Sequence, residues 1–406
     1  MTSIPGLTFA KQFPNPAEPF RGLFVAEQVK ATAGDVDWSV IAPVPWIPRM
    51  LAGPMGKPYV RGRGDFEGIP VLRPRYPVLP RRRLYTTVAP AMAWASGKAF
   101  RHLLNVHGPR FVHAHALYPS GAAAMRLARR IGIPLVVSVH GSDLYSNLIR
   151  PAWKASLIEV AASASAIVCV GQDLARDCVV ELDADPARVV VIPDTYDSES
   201  FRYIEREASD DGTVRLVSVG RLVDVKGHAD LVRAIGLLAR DGFEVACRII
   251  GSGPELERLR SLAVETGIRE RVEFMGSLPG ERIAREFADA DLFVMPSHRE
   301  GFGVALIEAM ATGLPAVATR SGGPAEIVGP DDGLLVPPRD PVALAGAIRA
   351  LAEALPSTDS AAIAARIRSR YGPDEVGKRL VQVYRSVLEQ GEVRPVASFQ
   401  ERTSAG

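Results

Sequence analysis

Apolar positions in the second half of the chain fall into short β-branched runs, each closed by glycine, proline or a small polar residue and most followed by an amphipathic stretch. Val214 to Gly220 (VRLVSVG), Phe243 to Gly251 (FEVACRIIG), Arg271 to Gly276 (RVEFMG), Asp291 to Ser297 (DLFVMPS), Pro315 to Thr319 (PAVAT) and Leu334 to Pro338 (LLVPP) read as strands. Helices are expected from about Lys226 and from about Gly303. Strand and helix alternating in this way indicate an α/β unit with a parallel sheet, and runs this apolar are buried on both faces.

The first half repeats the pattern less cleanly, with strands at about Asp37 to Ala42, Arg110 to His115, Pro134 to His140, Ala166 to Gly171 and Arg188 to Pro193. Ile4 to Ala10 reads as a degenerate strand because Pro5 and Gly6 interrupt it, and Ile47 to Arg83, rich in Pro, Gly and Arg, reads as an excursion without regular structure. The polar, acidic segment Asp194 to Asp211 is the expected linker, giving domains 1–195 and 196–375. A last helix, about Pro373 to Gln390, could pack on either domain before a tail within 376–406.

Composition narrows the class. A chain of 406 residues exceeds what one core usually organises, which agrees with two domains. Lys and Arg number 48 against 46 Asp and Glu, a balance that argues against a nucleic-acid binder. Cys169, Cys178 and Cys247 show no CxxC spacing and read as reduced core residues, which points to the cytoplasm. The start of the chain lacks a leader pattern and no apolar run reaches bilayer length, so a soluble or at most surface-attached protein is expected. Arg61, Arg63, Arg73, Arg75 and Arg81 to Arg83 concentrate positive charge in the N-terminal excursion, which suits either a solvated basic loop or contact with an anionic membrane.

Candidate chemistry concentrates where strands end. Pro296 to Gly313 (PSHREGFGVALIEAMATG) joins a strand to a helix through a loop carrying Glu300, Gly301 and Gly303, and ligands of an open parallel sheet bind at such junctions. The glycines let a ligand approach the backbone, and the first amides of the helix suit a phosphate. Glu300 in the loop could accept from sugar hydroxyls, and Glu308 inside the helix could take the paired hydroxyls of a ribose; the bland alternative is a loop charge and a solvated helix residue. Gly220-Arg221 and Lys226-Gly227 place two cations on one strand-to-helix turn, suited to a diphosphate or to solvent. Gly251-Ser252-Gly253-Pro254 has Leu256 in place of the third glycine of a dinucleotide fingerprint and reads as structural. His140, in Val139 to Asp143, ends a strand of the first half and is a candidate for the inter-domain cleft. His113 and His115 share a strand face, but no third ligand at metal spacing accompanies them, and no metal site is expected.

Taken together, Glu300 and Glu308 within EGFGVALIE, the following EAMATGLPAVATRSGGPAEIV, GRLVDVKG from Gly220 and SVHGSD from Ser138 resemble the family-4 retaining glycosyltransferases of the GT-B fold. Phe13 to Val29 is similar to the N-terminal loop of a subgroup associated with bacterial cell-surface polysaccharides. The resemblance implies two facing Rossmann-like domains with parallel sheets and an inter-domain cleft, the first on the acceptor side and the second holding the donor. It implies that Gly220, Arg221 and Lys226 hold a donor diphosphate, Glu308 the ribose, and Glu300 with Gly301, Phe302, Gly303 and Val304 the donor sugar. His140 would contact that sugar, Gly22 would lie beside the phosphates or acceptor, and Leu278 beside the base. A UDP-sugar is favoured over a GDP-sugar, with a glycan or lipid-linked acceptor, same-face attack, retention and no metal or other cofactor. Three segments depart from the family pattern: Ile4 to Ala10 is degenerate as the first strand, Asp194-Thr195-Tyr196-Asp197 stands for the usual Asn-Gly-Val-Asp, and Phe20-Arg21-Gly22 replaces a double-glycine turn. The competing readings are a sugar-nucleotide epimerase and a catalytically silent nucleotide-sugar sensor.

Overall fold

A computed structural model describes residues 3–47, 62–78, 85–148, 150–206 and 212–390. The chain forms two compact units, one running to Asp194 and taking back the helix Pro373–Gln390, the other Thr195–Gly372.

The N-terminal unit contains strands β1 (Ile4–Ala10), β2 (Val36–Ile41), β3 (Val44–Trp46), β4 (Gly62–Phe66), β5 (Ile69–Arg73), β6 (Arg75–Pro77), β7 (Phe111–His115), β8 (Leu135–Val139), β9 (Ala166–Cys169) and β10 (Val189–Val191). Eight of them form a sheet in the order β10-β9-β8-β7-β1-β2-β5-β4, parallel except for β4 at one edge. β7, β8 and β9 are buried at every position, as both-face burial requires.

Two expectations are corrected. β1 is no degenerate strand but sits in the middle of the sheet, paired along its length with β2 and along most of it with β7. Pro5 lies at its opening, where a missing N–H is tolerated. Gly6 is required there, because a Cβ would come within 2.8 Å of both the Trp38 ring and Val36. The described part of the Arg-rich excursion, residues 62–78, is not irregular either: β5 adds to the sheet beside β2, and β4 folds back on it through the two-residue turn Glu67-Gly68, both residues at positive φ. Within it Arg73 is buried, its guanidinium bonded to the Pro14 carbonyl and its pKa lowered by burial, and Arg75 lies over the Trp46 ring, so neither is an open surface cation. Arg63 is exposed and bonded to His102, while Arg61 and Arg81 to Arg83 lie outside the described residues.

The helix Pro373–Gln390 packs on this N-terminal unit. Val376, Leu380, Val383, Tyr384 and Val387 recur at helical spacing and are buried, joining the core of Val25, Val29, Trp38 and Phe111. The three cysteines are unpaired and buried.

The C-terminal unit has six strands, β11 (Val214–Val219), β12 (Val245–Ile250), β13 (Val272–Gly276), β14 (Leu292–Met295), β15 (Ala316–Thr319) and β16 (Gly333–Val336), in the order β13-β12-β11-β14-β15-β16, all parallel. The helix His228–Arg240 covers one face through Leu231, Val232, Ile235 and Leu238. Of the segment expected as a linker, Asp194 belongs to the N-terminal unit and the described residues from Thr195 belong to this one. Phe201 is buried, Thr195 donates to the Tyr371 carbonyl at 2.8 Å, and Arg206 bonds the carbonyls of Phe287 and Thr312.

Candidate active site

In the C-terminal sheet the chain runs outward from β11 to β13 on one side and from β14 to β16 on the other, so its direction reverses between the neighbours β11 and β14. Loops leaving the carboxyl ends of strands at such a reversal form the ligand crevice of an open parallel sheet. One of them here is Gly220 to Gly227 and the other Pro296 to Gly303, the two segments singled out by residue type.

The loops are bonded to each other. The His298 amide donates to the Val225 carbonyl at 2.8 Å, and the His298 Nε2 lies 2.7 Å from Asp230 Oδ2 on the helix after Gly227. Gly227 has φ 70°, and a Cβ there would sit 1.9 Å from the Pro296 carbonyl oxygen, so only glycine allows the approach. Across this junction the Lys226 ammonium bonds the Glu300 carboxylate, which also accepts from Ser297 Oγ at 3.1 Å. Both side chains are largely sheltered, 21% and 14% exposed, so solvent screens the pair less than a surface contact. The Glu300 backbone is fixed as well, its amide donating to the Ser321 carbonyl and its carbonyl accepting from the Gly323 amide. Thus the loop after β15 braces the carboxylate.

Gly301 and Val304 are half-buried, Phe302 is buried against the Tyr371 ring, and Gly303 opens the helix Val304–Ala311 with no side-chain cap. Uncapped first-turn amides and the helix dipole favour an anion. Glu308 is half-buried inside that helix, Arg221 is exposed beside half-buried Gly220, and Leu278 is half-buried after β13. The Gly251-Ser252-Gly253 turn braces its neighbours: the Leu222 amide donates to the Ser252 carbonyl and the Gly251 amide to the Gly276 carbonyl. His228, buried below Gly220, is held down to about 4 by burial and by the Lys226 charge, so it stays neutral at neutral pH.

The N-terminal sheet also reverses, between β1 and β7. Gly22, at φ 73°, opens the helix Leu23–Thr32 after β1. From that helix Phe24 packs on His140 with ring centroids 4.6 Å apart, and Gln28 Nε2 donates to Asp194 Oδ1 at 2.7 Å. His140 Nδ1 lies 3.3 Å from the same Asp194 oxygen, its Nε2 lies 3.4 Å from His115 Nδ1, and its amide donates to Asp143 Oδ1. Burial alone would push the His140 imidazole down. The charge and hydrogen bond of Asp194, with the charge of Asp143, outweigh it and hold the group above 6.5. His115 is driven well below its ordinary range by burial and by the neighbouring histidines, and its buried Nε2 has no hydrogen-bond partner. His113 is bonded to Tyr384 and Ser138 at 2.9 and 2.8 Å and lowered to about 3, chiefly by burial, which marks a packing role. Among the described residues no group of three or more His, Cys, Asp or Glu side chains has metal-holding geometry.

The structure brings together Lys226 and Glu300, which the sequence assigned to different parts of a ligand, and it places Gly22 and His140 at strand ends of the N-terminal sheet. Sequence reasoning missed Asp194, Gln28, Asp230 and His298. Asp194 carried a signal, since it lies just beyond the carboxyl end of β10, the same end of this parallel sheet from which His140 leaves β8. A cavity of about 490 Å3 opens elsewhere in the unit, at β11 to β13. None of the candidate residues lines it, and its Arg248 and Arg271 are paired with Glu286 and Glu244, so the strand-end loops are the better site.

Two Rossmann-like α/β units, one with cations and an uncapped helix at its switch point, define a GT-B type of architecture. Residues 199–368 match the family described as glycosyl transferases group 1, and residues 37–200 the one described as glycosyltransferase family 4. The chain is 32% identical over 311 residues to D-inositol 3-phosphate glycosyltransferase 1 of Catenulispora acidiphila, spanning 70% of this chain and 74% of that one. It is 31% identical over 352 residues to TuaC of Bacillus subtilis, named for a teichuronic acid biosynthesis glycosyltransferase, spanning 83% and 86%. The fold is similar to sucrose-phosphate synthase of Thermosynechococcus elongatus, with TM-score 0.77, 21% identity and coverage of 95% and 99%. It is also similar to HepE of Anabaena in complex with UDP and glucose, with TM-score 0.71, 18% identity and coverage of 94% and 99%. The chain belongs to the family-4 glycosyltransferases of the GT-B fold.

Proposed function

We propose that this glycosyltransferase is retaining and moves a sugar from a nucleoside-diphosphate sugar, a UDP-sugar by preference, to a hydroxyl of a glycan or lipid-linked acceptor in cell-surface polysaccharide or glycolipid synthesis. The observation that carries the reading is the Lys226–Glu300 contact at the β11/β14 reversal, beside the uncapped helix at Gly303. A cation, a sugar-binding carboxylate and unpaired amides then converge where a diphosphate ester would lie.

On binding, the diphosphate competes for the Lys226 ammonium and leaves Glu300 to accept from sugar hydroxyls. Glu308 takes the ribose, Leu278 lies near the base, and Arg221 swings onto the phosphates. The leaving diphosphate gains negative charge as the glycosidic bond breaks, and Lys226, Arg221 and the amides of Gly303 and Val304 stabilise it in place of a divalent ion. With no carboxylate assigned as a nucleophile on the opposite sugar face, the acceptor hydroxyl attacks from the side the diphosphate leaves and passes its proton to a departing phosphate oxygen. Configuration is then retained. His140 contacts the donor sugar, and Gly22 provides backbone close to the phosphates or acceptor. UDP is favoured because HepE binds UDP, and the surface-glycan role because TuaC is named for teichuronic acid. Among the described residues no helix is long and apolar enough to cross a membrane, and a cytoplasmic enzyme, peripheral through its basic N-terminal segment, fits a lipid-linked acceptor.

Thermal shift against a panel of UDP- and GDP-sugars, with and without EDTA, tests the donor assignment. A donor-specific rise in melting temperature that survives EDTA and is lost in Lys226→Ala is expected. No shift with any nucleotide sugar would overturn the assignment, and a shift abolished by EDTA would overturn metal independence.

A further inference from the structure

His140 is the one histidine of its cluster whose imidazole is held above the ordinary value, while its neighbours His113 and His115 are both pushed below it. The difference lies in what faces each ring. His113 meets a phenol and a hydroxyl, and His115 lies against the imidazoles of His113 and His140. His140 meets the Asp194 carboxylate at 3.3 Å, with Asp143 from the helix Ser142–Leu148, His115 from β7 and the Phe24 ring from the helix Leu23–Thr32 around it. Asp194 is itself aimed: it is 4% exposed, and Gln28 donates to the oxygen nearest His140.

An asparagine, the residue that the family resemblance places here, could accept the same Nδ1–H bond but would carry no charge. We propose that Asp194, braced by Gln28, is the positioning residue of His140. It fixes the proton on Nδ1 and the orientation of the ring, so that Nε2 is the nitrogen left to act on a hydroxyl of the donor sugar. In the structure Nε2 faces His115 Nδ1 across 3.4 Å, a contact to a neutral imidazole that a sugar hydroxyl could replace, whereas Nδ1 faces the Asp194 carboxylate, 3.3 and 3.4 Å from its two oxygens. The negative charge further keeps the imidazole protonated toward neutral pH, so Nε2 carries a hydrogen and acts as a donor. This inference rests on the reading that His140 acts on the sugar.

The test uses the full-length protein labelled at histidine, with His140 assigned by the signal lost in His140→Gln, titrated by NMR from acid to alkaline pH. The wild-type imidazole should titrate above 6.5, protonated on Nδ1 in its neutral form. In Asp194→Asn it should titrate lower by about one to three pH units. In Gln28→Ala, which keeps the charge but loses its brace, the shift should be smaller in the same direction. An unmoved His140 titration in Asp194→Asn would overturn the proposal whether or not the protein transfers sugar. In kinetics, kcat of Asp194→Asn should fall roughly tenfold or more with the donor KM within about twofold, and the alkaline limb of its pH profile should move down with the NMR value. A titration shift without any change in kcat or its profile would show that Asp194 tunes an imidazole the reaction does not use, which overturns the positioning role while leaving the transferase reading intact. A wild-type protein that binds no nucleotide sugar would instead remove the transferase reading, and the NMR outcome would still decide the Asp194–His140 coupling.

Discussion

Lys226 and Glu300, 74 positions apart, form an ion pair across the two loops at the switch point of the C-terminal sheet. Each is the other's partner and a candidate partner of the donor. Their separate loss should therefore differ in kind. Lys226→Ala removes stabilisation of the leaving diphosphate and leaves a sheltered carboxylate without its cation. Turnover should drop roughly 100- to 1,000-fold, as for loss of one transition-state donor. Glu300→Gln keeps the hydrogen-bonding shape, so binding of the nucleoside diphosphate alone should change little while binding of the full sugar nucleotide weakens. Isothermal titration with both ligands separates the two.

Gly227 is the point at which the loops touch. Gly227→Ala puts a methyl against the Pro296 carbonyl at an unfavourable positive φ, so the loops must part. A loss of roughly 1–3 kcal/mol is expected from backbone strain, read as a lower urea midpoint together with weaker donor binding.

His298→Ala removes the 2.7 Å contact with Asp230 without touching any residue assigned to the donor. The loop carrying Glu300 should loosen, with kcat falling roughly tenfold and Asp230→Asn reproducing part of the loss. Equal activity in His298→Ala would show that the backbone bonds to Ser321 and Gly323 suffice to place Glu300.

Stability should decline in mild acid. His113 and His228 have folded values of about 3 and about 4, below the ordinary 6.5, so the unfolded chain takes up protons first. Their contribution is complete above 6.5 and is lost as pH falls from there towards those values. His140 is shifted the other way, and its contribution is complete below 6.5 and lost as pH rises through its raised folded value. Urea midpoints across this range should fall towards acid, and His228→Leu should flatten the fall by an amount of roughly 3 kcal/mol at most.

How much of this was legible depends on how local the cause is. All six C-terminal strands follow from their β-branched runs; Leu292–Met295 and Ala316–Thr319 are apolar and buried at every position, while Val214–Val219 carries Arg215 and Ser218 among its apolar residues and was still legible from the glycine that closes it. β1 did not, since what admits Gly6 is the bulk of Trp38 and Phe111 on neighbouring strands. Nor did the β4–β5 hairpin, whose edge strand is almost wholly polar and exposed. The candidate residues Lys226 and Glu300 stood out by position at strand ends, but their bond spans loops far apart in sequence. Asp194 stood out only as an odd residue in a linker. Its reason, the imidazole of His140, comes from another strand end.

The most direct measurement is the anomeric form of the first sugar released from UDP-α-linked donors, followed by proton NMR before mutarotation, with and without glycan acceptors. A retaining transferase built on this site yields α-configured sugar or glycoside together with UDP, with release slowed in Lys226→Ala and Glu300→Gln. A β-configured first product, or UDP release untouched by both substitutions, would contradict it.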